Sequence, residues 1–447
     1  MRFFWVNTSV FYNNLIIAML IAPAVASATT LKEATSLALQ HNRQIEAQQM
    51  HTDAAHARAA EASANLLPSV EASMTGSRTD NPLNVFGTKL LQHRVTAADF
   101  NPQLLNNPSA INNYQTELSM RLPVYQGGAI WAARRQTGAM AEAAEWQLEN
   151  TRQQTILQLI GAFTGVLEAR SLIDASDKAL TSASSHLRNV KAQLKRGFAI
   201  KSDVMDAEAH RLQAEVSLHQ AQNGLATAQD RLRLITGSTV ELVPEGRIRL
   251  EMPDLDMQQW IDRALADHPL LKGMQAQVDA AHADIDKSRS GYLPKVGLMA
   301  SEQWNNNTPG LKNSNYTVGM EVSLNIFSGG ADRARVDAAT AEATRSELLL
   351  SDMRAQIRNT VMRAWRSLQE SRSRAVAQQQ VLDHAEESLR ILTLREQVGL
   401  EKATDVLNAQ AQRDESLARK IQSEFDVIRN QAALLYAAGA LTPEVIQ

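Results

Sequence analysis

Leu122-Pro123-Val124-Tyr125-Gln126-Gly127-Gly128-Ala129 is met again 202 residues later as Leu324-Asn325-Ile326-Phe327-Ser328-Gly329-Gly330-Ala331. At the same lag, Arg196-Gly197 through Asp203-Val204 returns as Val398-Gly399 through Asp405-Val406. Nearer the N-terminus the lag is 226: Leu67-Pro68 answers to Leu293-Pro294, and Ala38-Leu39-Gln40-His41-Asn42 to Ala264-Leu265-Ala266-Asp267-His268. The difference between the lags puts a 24-residue surplus between Pro68 and Leu122 in the first copy. A duplication this long uses one architectural unit twice, so the unit must explain the function.

Upstream of each Gly-Gly step the residues alternate. Tyr114, Thr116, Leu118, Met120, Leu122 and Val124 are interleaved with Gln115, Glu117, Ser119, Arg121 and Pro123. In the second copy Tyr316, Val318, Met320, Val322, Leu324 and Ile326 are interleaved with Thr317, Gly319, Glu321, Ser323 and Asn325. Weaker partners follow each Leu-Pro: Val70, Ala72 and Met74, then Val296, Leu298 and Ala300. A period of two makes these strands with one greasy and one polar face, each ~9–12 residues long, the span of a tilted transmembrane strand. Tyr125, Phe327, Tyr292, Tyr114, Tyr316 and Trp304 stand near the strand ends, where aromatic girdles belong. Four strands cannot close a barrel, which needs about eight, so the barrel must be shared between subunits.

Composition fits an exported protein of long helices. Of 447 residues only 5% are aromatic and 12 are proline. Met1–Ala28 reads as a secretory leader, with Arg2, an apolar core around Leu15–Ile21 and small residues at Ala24–Ala28. Its loss takes the net charge from −3 to −4, since Arg2 is its one charged residue, and no basic excess invites nucleic acid. There is no cysteine, hence no disulfide, thiolate metal site or lipid anchor. No run of 18 apolar residues follows the leader, so a membrane-embedded part is expected to be a β-barrel.

The rest reads as helix. Ala129–Lys195 would measure ~100 Å, and Leu31–Leu66 with Asp203–Ile235 ~54 and ~50 Å, so two short helices stacked end to end match one long one. Ala331–Val398 against Met257–Gly291 plus Asp405–Ala437 repeats the fit at ~102 Å each. Leu159, Val166, Ile173, Leu180, Leu187 and Leu194 form a heptad seam, echoed by Val361, Leu368, Ala375, Leu382 and Leu389. The fold expected is mainly α with a transmembrane β-barrel, built from a duplicated helical hairpin plus β-hairpin. The leader is set at 1–28, the first repeat at 29–240 and an inter-repeat linker at 241–256. The second repeat spans 257–440 and a tail 441–447. The strands are placed at about 69–77, 114–125, 295–304 and 315–327, with a partly folded surface loop at about 75–113 able to narrow the barrel mouth.

The duplication, the Leu-Pro entries, the Gly-Gly exits and the Gly197…Asp203-Val204 and Gly399…Asp405-Val406 turns together resemble the TolC-type outer-membrane efflux protein family over essentially the whole mature chain. The resemblance implies a homotrimer whose 12-stranded outer-membrane barrel continues into a 12-helix periplasmic tunnel. It also implies a periplasmic adaptor and an inner-membrane transporter as partners, outer-membrane lipid as surroundings, and export of small molecules or proteins. In such proteins the helix-to-helix turns form a periplasmic entrance closed by acidic side chains. By position Asp203, Asp206 and Asp405 match that entrance, although Asn408 replaces the acid in the second copy and Glu401 stands where some relatives carry a basic link.

Gly197 and Gly399 are expected to end helices in the left-handed conformation, with Ser202 or Asp203 and Thr404 or Asp405 able to cap the next. Gly127-Gly128 and Gly329-Gly330 lack the further glycines or Lys-Ser/Thr that cradle phosphate, which makes them sharp strand-to-helix junctions. No catalytic, cofactor or metal site is expected: His51 and His56 stand five apart on a helix, and no nucleophile elbow or zinc signature occurs. The rival class is a periplasmic coiled-coil adaptor, which gives no reason for four amphipathic strands; an enzyme is more distant still.

Overall fold

The computed structural model describes residues 28–238, 241–398 and 400–447. The leader, apart from Ala28, and the turn glycine Gly399 lie outside the described residues. In chain order the elements open with β1 (Ala28–Thr29), α1 (Leu31–His41), α2 (Arg43–Ala64) and β2 (Ser69–Thr79). Next come α3 (Pro82–Leu91), α4 (Pro102–Asn106), β3 (Ile111–Gln126), α5 (Ala129–Lys195), α6 (Lys201–Thr236) and β4 (Val243–Pro244). The second copy supplies α7 (Met257–Asp267), α8 (Pro269–Arg289), β5 (Lys295–Asn306), β6 (Ser314–Ser323), α9 (Ala331–Gln397) and α10 (Ala403–Ala437).

The four long strands form one antiparallel sheet of order β2-β3-β5-β6 rather than two separate hairpins, the two copies meeting at β3 and β5. Beneath it α2, α5, α8 and α9 lie side by side, and farther down α6, α5, α10 and α9 do the same. The protomer is therefore a strip. One long edge, β2 with α2 and α6, belongs to the first copy, and the other, β6 with α9, to the second.

Three expectations are corrected. The helices read over Leu31–Leu66 and Met257–Gly291 are each broken, at Asn42 and His268, whose backbones are extended. Asn42 Oδ1 accepts from the Gln44 and Ile45 N–H groups while its Nδ2 donates to Ile235 O at 2.9 Å, so α2 starts afresh there. His268 Nδ1 accepts from Leu270 N at 3.2 Å, and Pro269 disfavours a helical residue before it. The strands are also bounded differently: β2 runs to Thr79, β3 begins at Ile111, β5 reaches Asn306, and β6 stops at Ser323 rather than at 327. Among the described residues Leu324–Phe327 has no partner strand, whereas Tyr125 and Gln126 pair with Val296 and Lys295. The loop accordingly narrows to the stretch between Thr79 and Ile111. Finally, the N-cap positions of α6 and α10 fall at Ile200 and Lys402, neither with a side-chain cap, and Asp203 helps to start α6 from three residues on by accepting from Ile200 N.

The main core is a belt halfway down the strip. Phe163, Leu159 and Ile160 of α5, Trp260 of α7, Val361 and Leu368 of α9, and Leu434, Leu435 and Leu441 are buried together. Each such side chain contributes about 1.5–3 kcal/mol by leaving water. The inter-repeat segment joins this belt, β1 pairing in parallel with β4 and Leu250 bridging to Ile446. The belt gives α5 an apolar stretch in its middle. Those apolar residues are core. Away from the belt the heptad seam thins: Ile173 and Leu180 are half-buried and Leu194 is exposed.

Candidate functional site: a two-faced sheet, its junctions and the far mouth

Register assigns the faces of the sheet. Val70 pairs with Met120, Met120 with Ala300, and Ala300 with Val318, so they share one face with Leu118, Leu298, Met320 and Val322. Most of these side chains are exposed, among them Val70, Met74, Met120, Val318, Met320 and Val322, which leaves an uncovered apolar sheet. Such a surface belongs in hydrocarbon, not water. The other face carries Glu71, Ser73, Glu117, Ser119, Arg121, Ser301, Gln303 and Glu321. Glu302 departs from the pattern: paired with Leu118 and Tyr316, it lies on the apolar face two residues before Trp304. Among the aromatics, Tyr125, Tyr292, Tyr316 and Phe327 are exposed at the strand ends, where girdle side chains sit.

Each central strand turns into its long helix through two left-handed glycines, with φ of +64° and +83° at Gly127 and Gly128 and +66° and +88° at Gly329 and Gly330. At Gly127 a Cβ would stand 2.5 Å from Ser290 O, so only glycine fits against the end of α8. The second junction is tied by Asp332, whose carboxylate accepts from Ser328 Oγ at 2.6 Å, Asn325 Nδ2 at 3.0 Å and Arg335 at 2.9 Å.

At the far end from the sheet, Gly197 adopts φ +82° and closes α5, with Phe198 N donating to Gln193 O at 3.0 Å. Asp203 is half-buried on the first turn of α6 and accepts from Ile200 N at 3.0 Å. Asp206 is exposed one turn on. Asp405 occupies the matching place on α10, and among the described residues its carboxylate has no hydrogen bond. Glu401 pairs with Arg395 at 3.2 Å within its own turn. The turns also expose apolar side chains that sequence reasoning did not single out: Phe198, 82% exposed, with Ile200, Val398 and Leu400.

Between these turns and the core belt, α5, α6 and α10 line a cavity of about 330 Å³ with His210 and Asp414 in its wall. Burial pushes the Asp414 carboxyl up, against Arg413 at 3.0 Å, and burial pushes the His186 imidazole down. Near the sheet's outer tip the structure adds an amide cluster, Gln92, Asn113 and Asn305, on the polar face. The only trace of it in the sequence is the run of asparagines at Asn112-Asn113 and Asn305-Asn306-Asn307. Among the described residues no group of three or more His, Asp or Glu could hold a metal ion.

An uncovered apolar sheet set on a long helical strip is the build of an outer-membrane channel subunit. The chain belongs to the Outer membrane efflux protein family, which it matches over residues 34–238 and 260–440. BepC of Brucella suis biovar 1, an outer membrane efflux protein, is 25% identical over 300 residues, 66% of each chain. PrtF of Dickeya chrysanthemi, a proteases secretion protein, is 24% identical over 435 residues, covering 94% of this chain and 90% of its own. The CmeC outer membrane channel of Campylobacter jejuni superposes with a TM-score of 0.78 at 16% identity, over 92% of this chain and 85% of that one, and carries the fold alone. The chain is thus an outer-membrane exit duct with a long periplasmic portion, and the adaptor reading falls away.

Proposed function

We propose that three copies of this chain close edge to edge into a 12-stranded barrel continuous with a 12-helix tunnel. The assembly conducts substrate passively from a periplasmic adaptor and inner-membrane pump to the exterior, in efflux or type I secretion. The observation that carries this is the pair of open edges running the whole length of the strip. The outer N–H and C=O groups of β2 and β6 cannot stay unpaired in hydrocarbon, so the sheet must close on other copies. Family likeness supports three rather than two, and the acidic polar face becomes the lumen. The exposed Phe198, Ile200, Val398 and Leu400 are the adaptor's docking points, and Asp203, Asp206 and Asp405 ring the entrance. Detergent-corrected mass of the purified particle should equal three chains; a stable soluble monomer would sink the proposal.

A further inference from the structure

The segment joining β2 to β3 is a folded body. Asn81 caps α3, Val85 is buried beneath it, and Phe86 meets Phe100 edge-on at 5.6 Å between ring centroids. Lys89 Nζ lies 2.6 Å from Asp99 Oδ1, and Asp99 also accepts from the N–H and hydroxyl of Thr96. These donors, Lys89 first, hold the Asp99 carboxyl down to about 2, so the body keeps its internal staple across ordinary pH.

This body is seated on the polar face of the sheet. Gln92, 1% exposed at the end of α3, donates from Nε2 to Asn112 O at 2.9 Å and Asn113 Oδ1 at 3.0 Å. Asn113 Nδ2 in turn donates to Asn305 Oδ1 on β5 at 2.9 Å, and Asn315 Nδ2 on β6 reaches Leu91 O at 3.5 Å. The end of one helix is thus tied across three strands, all on the side that faces the lumen. His93, next in line, takes a left-handed φ of +52° to deliver this contact, which a non-glycine residue adopts only when held. The clasp's bonds to the strands run between neutral amides, with Arg94 of the body donating to Gln92 Oε1 at 3.1 Å, while the Phe86–Phe100 contact and the Lys89–Asp99 staple lie within the body itself. Water can replace the clasp's partners without unfolding the body.

We propose that residues 80–110 form a lid inside the outer mouth of the duct, closed by the Gln92–Asn113–Asn305 clasp and opened by its release as a rigid piece. The inference rests on the polar face being the lumen. The chain has no cysteine, so Ser119→Cys on the polar face places a single thiol below the lid. Full-length protein on intact cells is labelled from outside with a small methanethiosulfonate and, separately, with a maleimide carried on a polyethylene glycol chain. The lidded channel should take the small reagent and exclude the large one. Gln92→Ala, and a second variant with residues 81–108 replaced by a short Gly-Ser turn, should each raise labelling by the large reagent at least fivefold. Wild-type exclusion persisting in both variants, with the small reagent still reacting, overturns the lid. Failure of the small reagent to react even without the lid overturns the duct reading instead.

Discussion

Asp203 and Asp405 occupy equivalent places in the two copies, yet their surroundings differ. Asp203 holds the N–H of Ile200, while the carboxylate of Asp405 is left without a hydrogen bond among the described residues. Two roles that coincide by position therefore separate by substitution. Asp203→Ala should lower stability by about 0.5–2 kcal/mol, the cost of losing a helix-start hydrogen bond. Asp405→Ala should leave the melting temperature unchanged and reduce both cation preference and block by multivalent cations in planar-bilayer recordings, because three copies face the axis in the proposed assembly. Wild-type selectivity in Asp405→Ala would remove this residue from the entrance.

At the scale of elements, the duplication itself supplies a control. His268 in the second copy stands where Asn42 stands in the first, and both start a helix by accepting backbone N–H groups. Burial pushes the His268 imidazole from 6.5 down to about 4. As pH falls, the unfolded chain takes up this proton first. Stability is therefore complete above about 6.5 and lost between 6.5 and 4, at up to about 1.4 kcal/mol per pH unit. His268→Asn keeps a helix-starting acceptor and removes the titration. Melting temperatures in detergent from pH 4.5 to 7.5 should slope less in the variant, and an unchanged slope would assign the acid sensitivity elsewhere.

These same breaks mark the limit of what the chain discloses in one dimension. Periodicity announced the strands and long helices because alternation and heptads are local patterns of side-chain polarity. Asn42 lay within an unbroken helical pattern, and its decisive bond runs to Ile235, 193 residues away. The Gly-Gly steps were legible because strand-to-helix junctions depend on near neighbours. Gln92 was not, since an isolated glutamine carries no sign of the two asparagines that fold beneath it.

For the whole molecule, the seam inside the chain serves as a template for the seam outside it. β3 closes on β5 as the end of one unit meeting the start of the next, and in the proposed assembly β6 closes in the same sense on β2 of the partner subunit. The register can be transcribed through the two lags: Met120 opposite Ala300 becomes Val322 opposite Met74 of the partner subunit, and Leu122 opposite Leu298 becomes Leu324 opposite Ala72 of the partner subunit. The stretch Leu324–Phe327, irregular on its own, then acquires the strand it lacks. With no native thiol to interfere, Val322→Cys with Met74→Cys should oxidise to a covalent ring of copies on a denaturing gel. Val322→Cys with Ala72→Cys, slipped by one pleat on the same face, should not; if the slipped pair joins and the transcribed one stays apart, the inner seam is no guide to the outer. Should the transcription hold, the ring is six near-identical wedges, with peptide bonds linking every other pair, and each newly made chain carries within itself the pattern for meeting its neighbours.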